Sequence, residues 1–461
     1  MLSNTNKYNS ISLGIIFGAG VFVVLVIDEW LMSINNAEPF SLMPILFGLF
    51  LYCLLEIFVI TSFKSVAWQI RIAFLAGLIG FMFLNIGVLY LNEDPFLFSD
   101  DRKYNNIGKA IFLKNDVFIP LTYSGGYYFK FIGFLYRIVG PYTFNGRLVN
   151  FFCLFIIALT GYKIIDINNN NGRGKFFVHL LLFYCPAFVF FSLFEFKDMI
   201  FITILFVMIY LFKLSHFQKK LQNKAVFFGA AVCLCYVSWW FRVGVGIVFL
   251  VFNIIPFIIQ RIKIKKVNLA LALLGVYLIS FIMANYPVFV NILPENKSRL
   301  SIKMNAYSKK RVEKQQKSGL QQFLIMKGNR DIIIAPVSVA LIPFAVMNIF
   351  DAKDILQFLF AFLGFFTLII YLGLLYNIVK GFNISKEDYY SVLLPTMVCL
   401  IILTWFNAGI SRHFIFLIPL LILSICLTNI NVRKMMYSGF ILTLGFYVLY
   451  YSLQLIESIK F

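Results

Sequence analysis

The chain has 461 residues, of which 61% are hydrophobic and only 13% charged, and its mean hydropathy is +0.87. A soluble globular domain carries roughly 25% charged residues, so this composition excludes one and predicts an all-α polytopic membrane protein. The 40 Lys and Arg outnumber the 20 Asp and Glu, which in a membrane protein reads as loops facing anionic lipid; no nucleic-acid partner is expected.

A bilayer core of about 30 Å takes roughly 20 helical residues to cross. Windows of about that length fall at 11–32, 39–61, 70–92, 145–166, 176–194, 199–214, 225–241, 245–260, 267–290, 353–379, 388–406, 413–429 and 435–456, thirteen in all, within a single transmembrane domain over 1–461. The first, "ISLGIIFGAGVFVVLVIDEWL", follows a short polar segment and lacks a small-residue cleavage site. It reads as a retained helix. Cysteines such as Cys153, Cys185, Cys233, Cys235 and Cys399 sit inside apolar windows as packing residues. His179, His216 and His413 are too scattered for a zinc site.

Two long connections, 93–144 and 291–331, exceed ordinary loop length and are candidates for function. The segment 332–350 is apolar but holds Pro336 and Pro343, and is read as re-entrant. Orientation follows positive charge. The basic connections near Lys64, Arg173, Lys219 and Arg261 fall on one face by alternation, taken as cytoplasmic. The two long connections then lie outside and are basic themselves, leaving 22 of the Lys and Arg outside and 18 inside. Charge alone does not fix the orientation.

With this topology, charged residues at helix ends gather on the outer side. They are Asp100 and Asp101 after the third helix, Lys197 and Asp198 in "SLFEFKDMIF", Arg242 in "YVSWWFRVGVG", and Arg412 with His413 in "NAGISRHFIF". Ionisable groups near hydrocarbon cost several kcal/mol unless paired or wet, so their convergence needs a reason, which a shared cavity would supply. Structural roles stand beside it. Asp100 and Asp101 suit the positive end of a helix that Ser99 could cap, Lys197 and Asp198 could pair locally, and Arg242 could snorkel beside two tryptophans. Carboxylates facing cations at a membrane surface suit glycosyl transfer from a lipid phosphate. An acid takes the acceptor proton while Arg and Lys neutralise the departing phosphate.

The segment "DDRKY", Asp100 to Tyr104, resembles a pattern of the GT-C superfamily of integral-membrane glycosyltransferases, in particular the bacterial family-39-like enzymes that use polyprenyl-phosphate sugars. That pattern is an acid pair, two spacers and an aromatic in the first large extracytoplasmic loop. The segments "YYFKFIGFLYRIVGPYTFNGRLVNF", "CPAFVFFSLFEFKDMI" and "NAGISRHFIFLIPLLIL" are similar to later landmarks in the same order. The resemblance implies a helical bundle with amphipathic helices in the first outer loop, in a bacterial inner membrane. It implies Asp100 as general base, with Asp101 positioning the acceptor or, in some members, a divalent cation. Lys197 and Arg412 would face the carrier phosphate. Tyr104 of the matched pattern, together with Asp198, Arg242 and His413 from the charges gathered on the outer side, completes the candidate substrate site. The donor would be a polyprenyl-phosphate sugar and the acceptor a lipid, glycan or protein. No P-loop or Rossmann glycine pattern is present in the sequence.

Two other functions compete. One is an O-antigen or exopolysaccharide polymerase or ligase, which would lean on loop arginines more than on an acid pair. The other is a transporter or flippase of lipid-linked sugars, for which Asp28 and Glu29 in the first helix are the best support.

Overall fold

The computed structural model describes residues 2–34, 39–63, 65–90, 99–113, 126–167, 172–194, 197–241 and 432–459, with single helical positions between 358 and 376 and at 422–423. Among them every regular element is helical. In chain order these are α1 (Leu2–Ile34), α2 (Leu42–Ser62), α3 (Ala67–Tyr90), α4 (Ser99–Phe112), α5 (Gly126–Val139), α6 (Thr143–Asp166), α7 (Gly172–Phe183), α8 (Pro186–Ser192), α9 (Lys197–Phe217), α10 (Leu221–Phe241) and α11 (Val432–Ile459). Among the described residues, five stretches are long and apolar enough to cross a bilayer: Ile11–Ile34, Leu42–Ser62, Ala67–Gly87, Thr143–Asp166 and Lys197–Ser215. The chain is thus a multi-pass helical membrane protein.

Among the described residues, seven of the thirteen apolar windows coincide with a helix. The window 176–194 is instead broken into α7 and α8 at Tyr184 and Cys185. Pro186 opens α8, and a proline lacks an N–H and pushes its predecessor out of helical geometry. Cys185 accordingly has φ −60° and ψ 119°. The windows at 225–241 and 435–456 fall within α10 and α11. The windows at 245–260, 267–290 and 388–406, the 332–350 segment and the 291–331 connection lie outside the described residues, as do most positions of the windows 353–379 and 413–429.

The chain divides into two compact units, Met1–Gly246 with Asp354–Leu356, and Ile247–Lys353 with Gln357–Phe461. In the first, α1 packs on α2 and α3, α4 on α5, and α9 on α10, while α6 touches α2, α3, α5, α7, α8 and α9. Burial agrees with that central position, since 83% of the α6 span is enclosed against 28% of α1. Around α6 lies an aromatic core. Phe74 of α3 meets Phe155 edge-on at 4.8 Å between centroids, Phe81 meets Phe151 at 4.9 Å, and Phe155 meets Phe183 of α7 at 5.0 Å. Rings at these separations add attraction beyond their buried area, which matters in lipid, where helix association rests on packing.

Gly77 lets α7 approach α3, because a Cβ there would run into the Phe183 ring. Gly77→Leu is therefore expected to destabilise the first unit by about 1–3 kcal/mol through overpacking. A lowered thermal midpoint in detergent would register it.

The helix ends sort into two sets. At one end Lys163 Nζ donates to the carbonyl of Ser62, joining the C-terminal turns of α6 and α2. At the other, the Ser41 amide donates to Glu29 Oε1 at 3.0 Å, and Arg147 Nη1 donates to Asn85 Oδ1 at 2.6 Å. Those bonds collect the C-terminal part of α1, the start of α2, the C-terminal part of α3 and the start of α6. In the second unit, α11 packs closely on the helical positions near 373. A Cβ on Gly439 would lie 3.0 Å from Gly373 Cα, a small-residue contact that lets two backbones approach.

Candidate functional site

The acid pair opens α4, so both residues lie in its first turn, at the positive end of the helix dipole. Asp101 is fully buried, as are Tyr104 (4% exposed), Asn105 and Gly108, while Arg102, Lys103 and Asn106 face outward. The buried positions recur at helical spacing and define the face that meets α5. Tyr104 packs edge-on against Tyr128 at 4.7 Å and near Phe129 at 5.1 Å. Further along, Gly108 faces Ile132, and Gly133 faces Ile111. The two helices therefore run in the same direction, and their N-terminal ends lie side by side at the acid pair.

Asn105, one turn beyond Asp101, fixes α4 to α6. Its Nδ2 donates to Thr143 Oγ1 at 2.8 Å, and its Oδ1 accepts from Tyr136 OH at 3.1 Å. Asn105→Ala removes both buried bonds and is expected to cost about 1–3 kcal/mol, readable as a lower melting point with looser protease protection of α4.

Thr143 begins a buried polar stripe on α6 that continues through Arg147 and Asn150, at spacings of four and three residues. Arg147 is 1% exposed, with its guanidinium bonded to Asn85 and 5.9 Å from the centre of the Phe194 ring. Asn150 Nδ2 donates to the Phe194 carbonyl at 2.5 Å. Three residues past Phe194, Lys197 and Asp198 start α9, both buried, and Asp198 sits in its first turn. The two sequence-predicted clusters are thus anchored to one helix start. Asp101 and Tyr104 reach it through Asn105 and Thr143, and Lys197 and Asp198 through Phe194 with Arg147 and Asn150.

Asp28 of α1 belongs to the same end. It is 1% exposed, its nearest charges are Glu29 and Arg147, and neither carboxylate oxygen has a hydrogen-bond partner among the described residues. Buried charges of this kind are stable only with a compensating neighbour, and Arg147 is the opposite charge within reach.

Arg147, Asn85 and Asn150 were not marked by the sequence reading. The available signal was an arginine inside the apolar window 145–166, a position where ionisable residues are costly and usually functional. Arg242, Arg412 and His413 lie outside the described residues, and only the backbone of Asp100 is described. Among the described residues no group of three or more His, Cys, Asp or Glu could hold a metal ion. His179 is buried in the aromatic core, 5.3 Å from Phe155 and 6.0 Å from Phe183 between ring centres.

Fold and site together define a multi-pass helical membrane protein with a buried, mixed-charge cluster at one end of its bundle. No family model, curated protein or solved structure matches the chain.

Proposed function

We propose that this chain transfers a sugar from a polyprenyl-phosphate donor to an acceptor hydroxyl of a lipid, glycan or protein, at the outer face of a bacterial inner membrane. The observation that supports it is that Asp101, Arg147, Lys197 and Asp198 are all buried and that hydrogen bonds of Asn105, Arg147 and Asn150 tie the segments around them to the start of α6. Lipid tails would lie along the spans and the sugar phosphate would meet this end.

The chemistry follows from the charges. A carboxylate of the acid pair, Asp100 in the order the resemblance implies, accepts the acceptor's O–H proton. The freed oxygen forms a bond to the anomeric carbon as the bond from that carbon to the phosphate oxygen breaks. The electron pair leaves on the phosphate, where the Lys197 ammonium neutralises the charge. Asp101, buried beside Tyr104, holds the acceptor in line. The described residues around Asp101 do not by themselves compose a cation site, so no step here runs through a metal.

Asp28 supports a second reading, a transporter of lipid-linked sugars, because a buried carboxylate in a span is a common feature of such proteins. Membranes carrying the chain, given a labelled synthetic polyprenyl-phosphate sugar, separate the outcomes. A transferase yields one added sugar per acceptor. A polymerase or ligase yields a ladder or a transferred chain, and a transporter moves unchanged lipid across the bilayer.

A further inference from the structure

We propose that α5 docks on anionic phospholipid headgroups through an exposed stripe formed by Lys130, Phe134, Arg137 and Ile138. Three observations carry it, and none depends on the transfer reaction.

The first is the division of α5 into two faces. Tyr128, Phe129, Ile132, Leu135, Tyr136 and Val139 are buried against the rest of the first unit, whereas Phe134 is 61% and Ile138 60% exposed, with Lys130 and Arg137 exposed beside them. Positions 130, 134, 137 and 138 are one and two turns apart, so they share one side of the helix. A stripe that alternates long cationic and large apolar side chains is the composition of an interfacial helix: the apolar groups enter the acyl boundary and the cations meet phosphates.

The second is location. α5 contacts α2 and leads through Gly140 and Pro141 into α6, so it lies at the end of the bundle where those spans begin. The third is the apolar surface that α2 presents at the same end. At that end α2 exposes Leu42 (61%), Met43 (51%) and Leu46 (56%), apolar residues of a span whose outward side faces hydrocarbon. At that same end, the α5 stripe would bring apolar groups and positive charge to the headgroup region bordering that surface. Arg137 Nη2 also donates to the Ile111 carbonyl at 3.2 Å, which ties the stripe to the α4 end. The excess of basic residues on the outer side, unexplained by the charge rule for topology, would in part serve this contact.

The test uses the full chain in vesicles of phosphatidylcholine with or without phosphatidylglycerol. Phe134→Trp is introduced, and its fluorescence is read as the difference from the parent protein while lipids with brominated acyl chains are added. The added tryptophan is expected to be quenched, and several-fold more strongly by brominated phosphatidylglycerol than by brominated phosphatidylcholine. Lys130→Gln with Arg137→Gln should erase that preference. Lys130→Arg with Arg137→Lys should keep it, which separates lost charge from a damaged fold. Absence of quenching by either lipid would overturn the proposal, as would equal quenching by both. A preference that survives removal of both charges, protection of the tryptophan by dimer formation, or competition by polyprenyl phosphate but not by phosphatidylglycerol would overturn it as well.

Discussion

Asp100→Asn is expected to lower sugar transfer by about 10²–10⁴-fold, the range typical of removing a positioned general base, and Asp101→Asn to lower it as well. The two should differ in kind. If Asp100 takes the acceptor proton, its amide loses kcat with KM for the donor nearly unchanged. Asp101 is fully buried in the first turn of α4, next to Tyr104 and one turn from Asn105. Its amide keeps the size and much of the hydrogen bonding, so loss there should also raise KM for the acceptor, as expected of a residue that orients it. Steady-state kinetics in proteoliposomes, with matched melting points to establish folding, makes the comparison. Full activity in Asp100→Asn would remove it as base, and an unchanged acceptor KM in Asp101→Asn would remove the orienting role.

The largest stability effect is expected far from that site. Glu56 of α2 and Arg71 of α3 form a buried ion pair through Arg71 Nε and Nη2, and Nε lies 2.9 Å from Glu56 Oε1. Tyr52 OH adds a contact to Glu56 Oε2 at 3.3 Å and donates to the Gly14 carbonyl of α1 at 3.2 Å, so the cluster ties all three helices together. Removing one partner leaves the other charge buried and alone. Arg71→Ala or Glu56→Ala should therefore cost about 3–5 kcal/mol. Replacing both with apolar residues of similar size, Arg71→Met with Glu56→Leu, should recover most of the loss, because neither charge is then buried. A double-mutant cycle on unfolding in mixed detergent micelles measures this. Single variants as stable as wild type would show that water reaches the pair.

Much of the fold was legible because a membrane span has a simple signature, length and apolarity. The windows at 39–61 and 145–166 differ by only a few residues from α2 and α6. Even "SDDRKYNNIGKAIF" could be read as helix-competent, and it forms α4 from its first residue to its last. The break at 176–194 was missed because hydropathy is blind to backbone geometry. Only Pro186 carries that information, and it was averaged into an apolar window.

The site was legible in part, for a related reason. Lys197 and Asp198 stand out as charges at the edge of a span, whereas Arg147 sits inside one and was counted as part of its window. What makes Arg147 central is its bond to Asn85, 62 residues earlier, and its place near Phe194, 47 residues later. No local pattern encodes such partners. The same holds for the parallel course of α4 and α5, which depends on Gly108 and Gly133 admitting Ile132 and Ile111.

The most direct measurement is the stoichiometry of the reaction with purified chain in proteoliposomes and a synthetic polyprenyl-phosphate sugar. Transfer predicts that each sugar appearing on the acceptor is matched by one freed polyprenyl phosphate, and that both products vanish together when Asp100 and Asp101 are changed to Asn. Donor recovered intact on the opposite leaflet, or undiminished release of polyprenyl phosphate by the double variant, would contradict it.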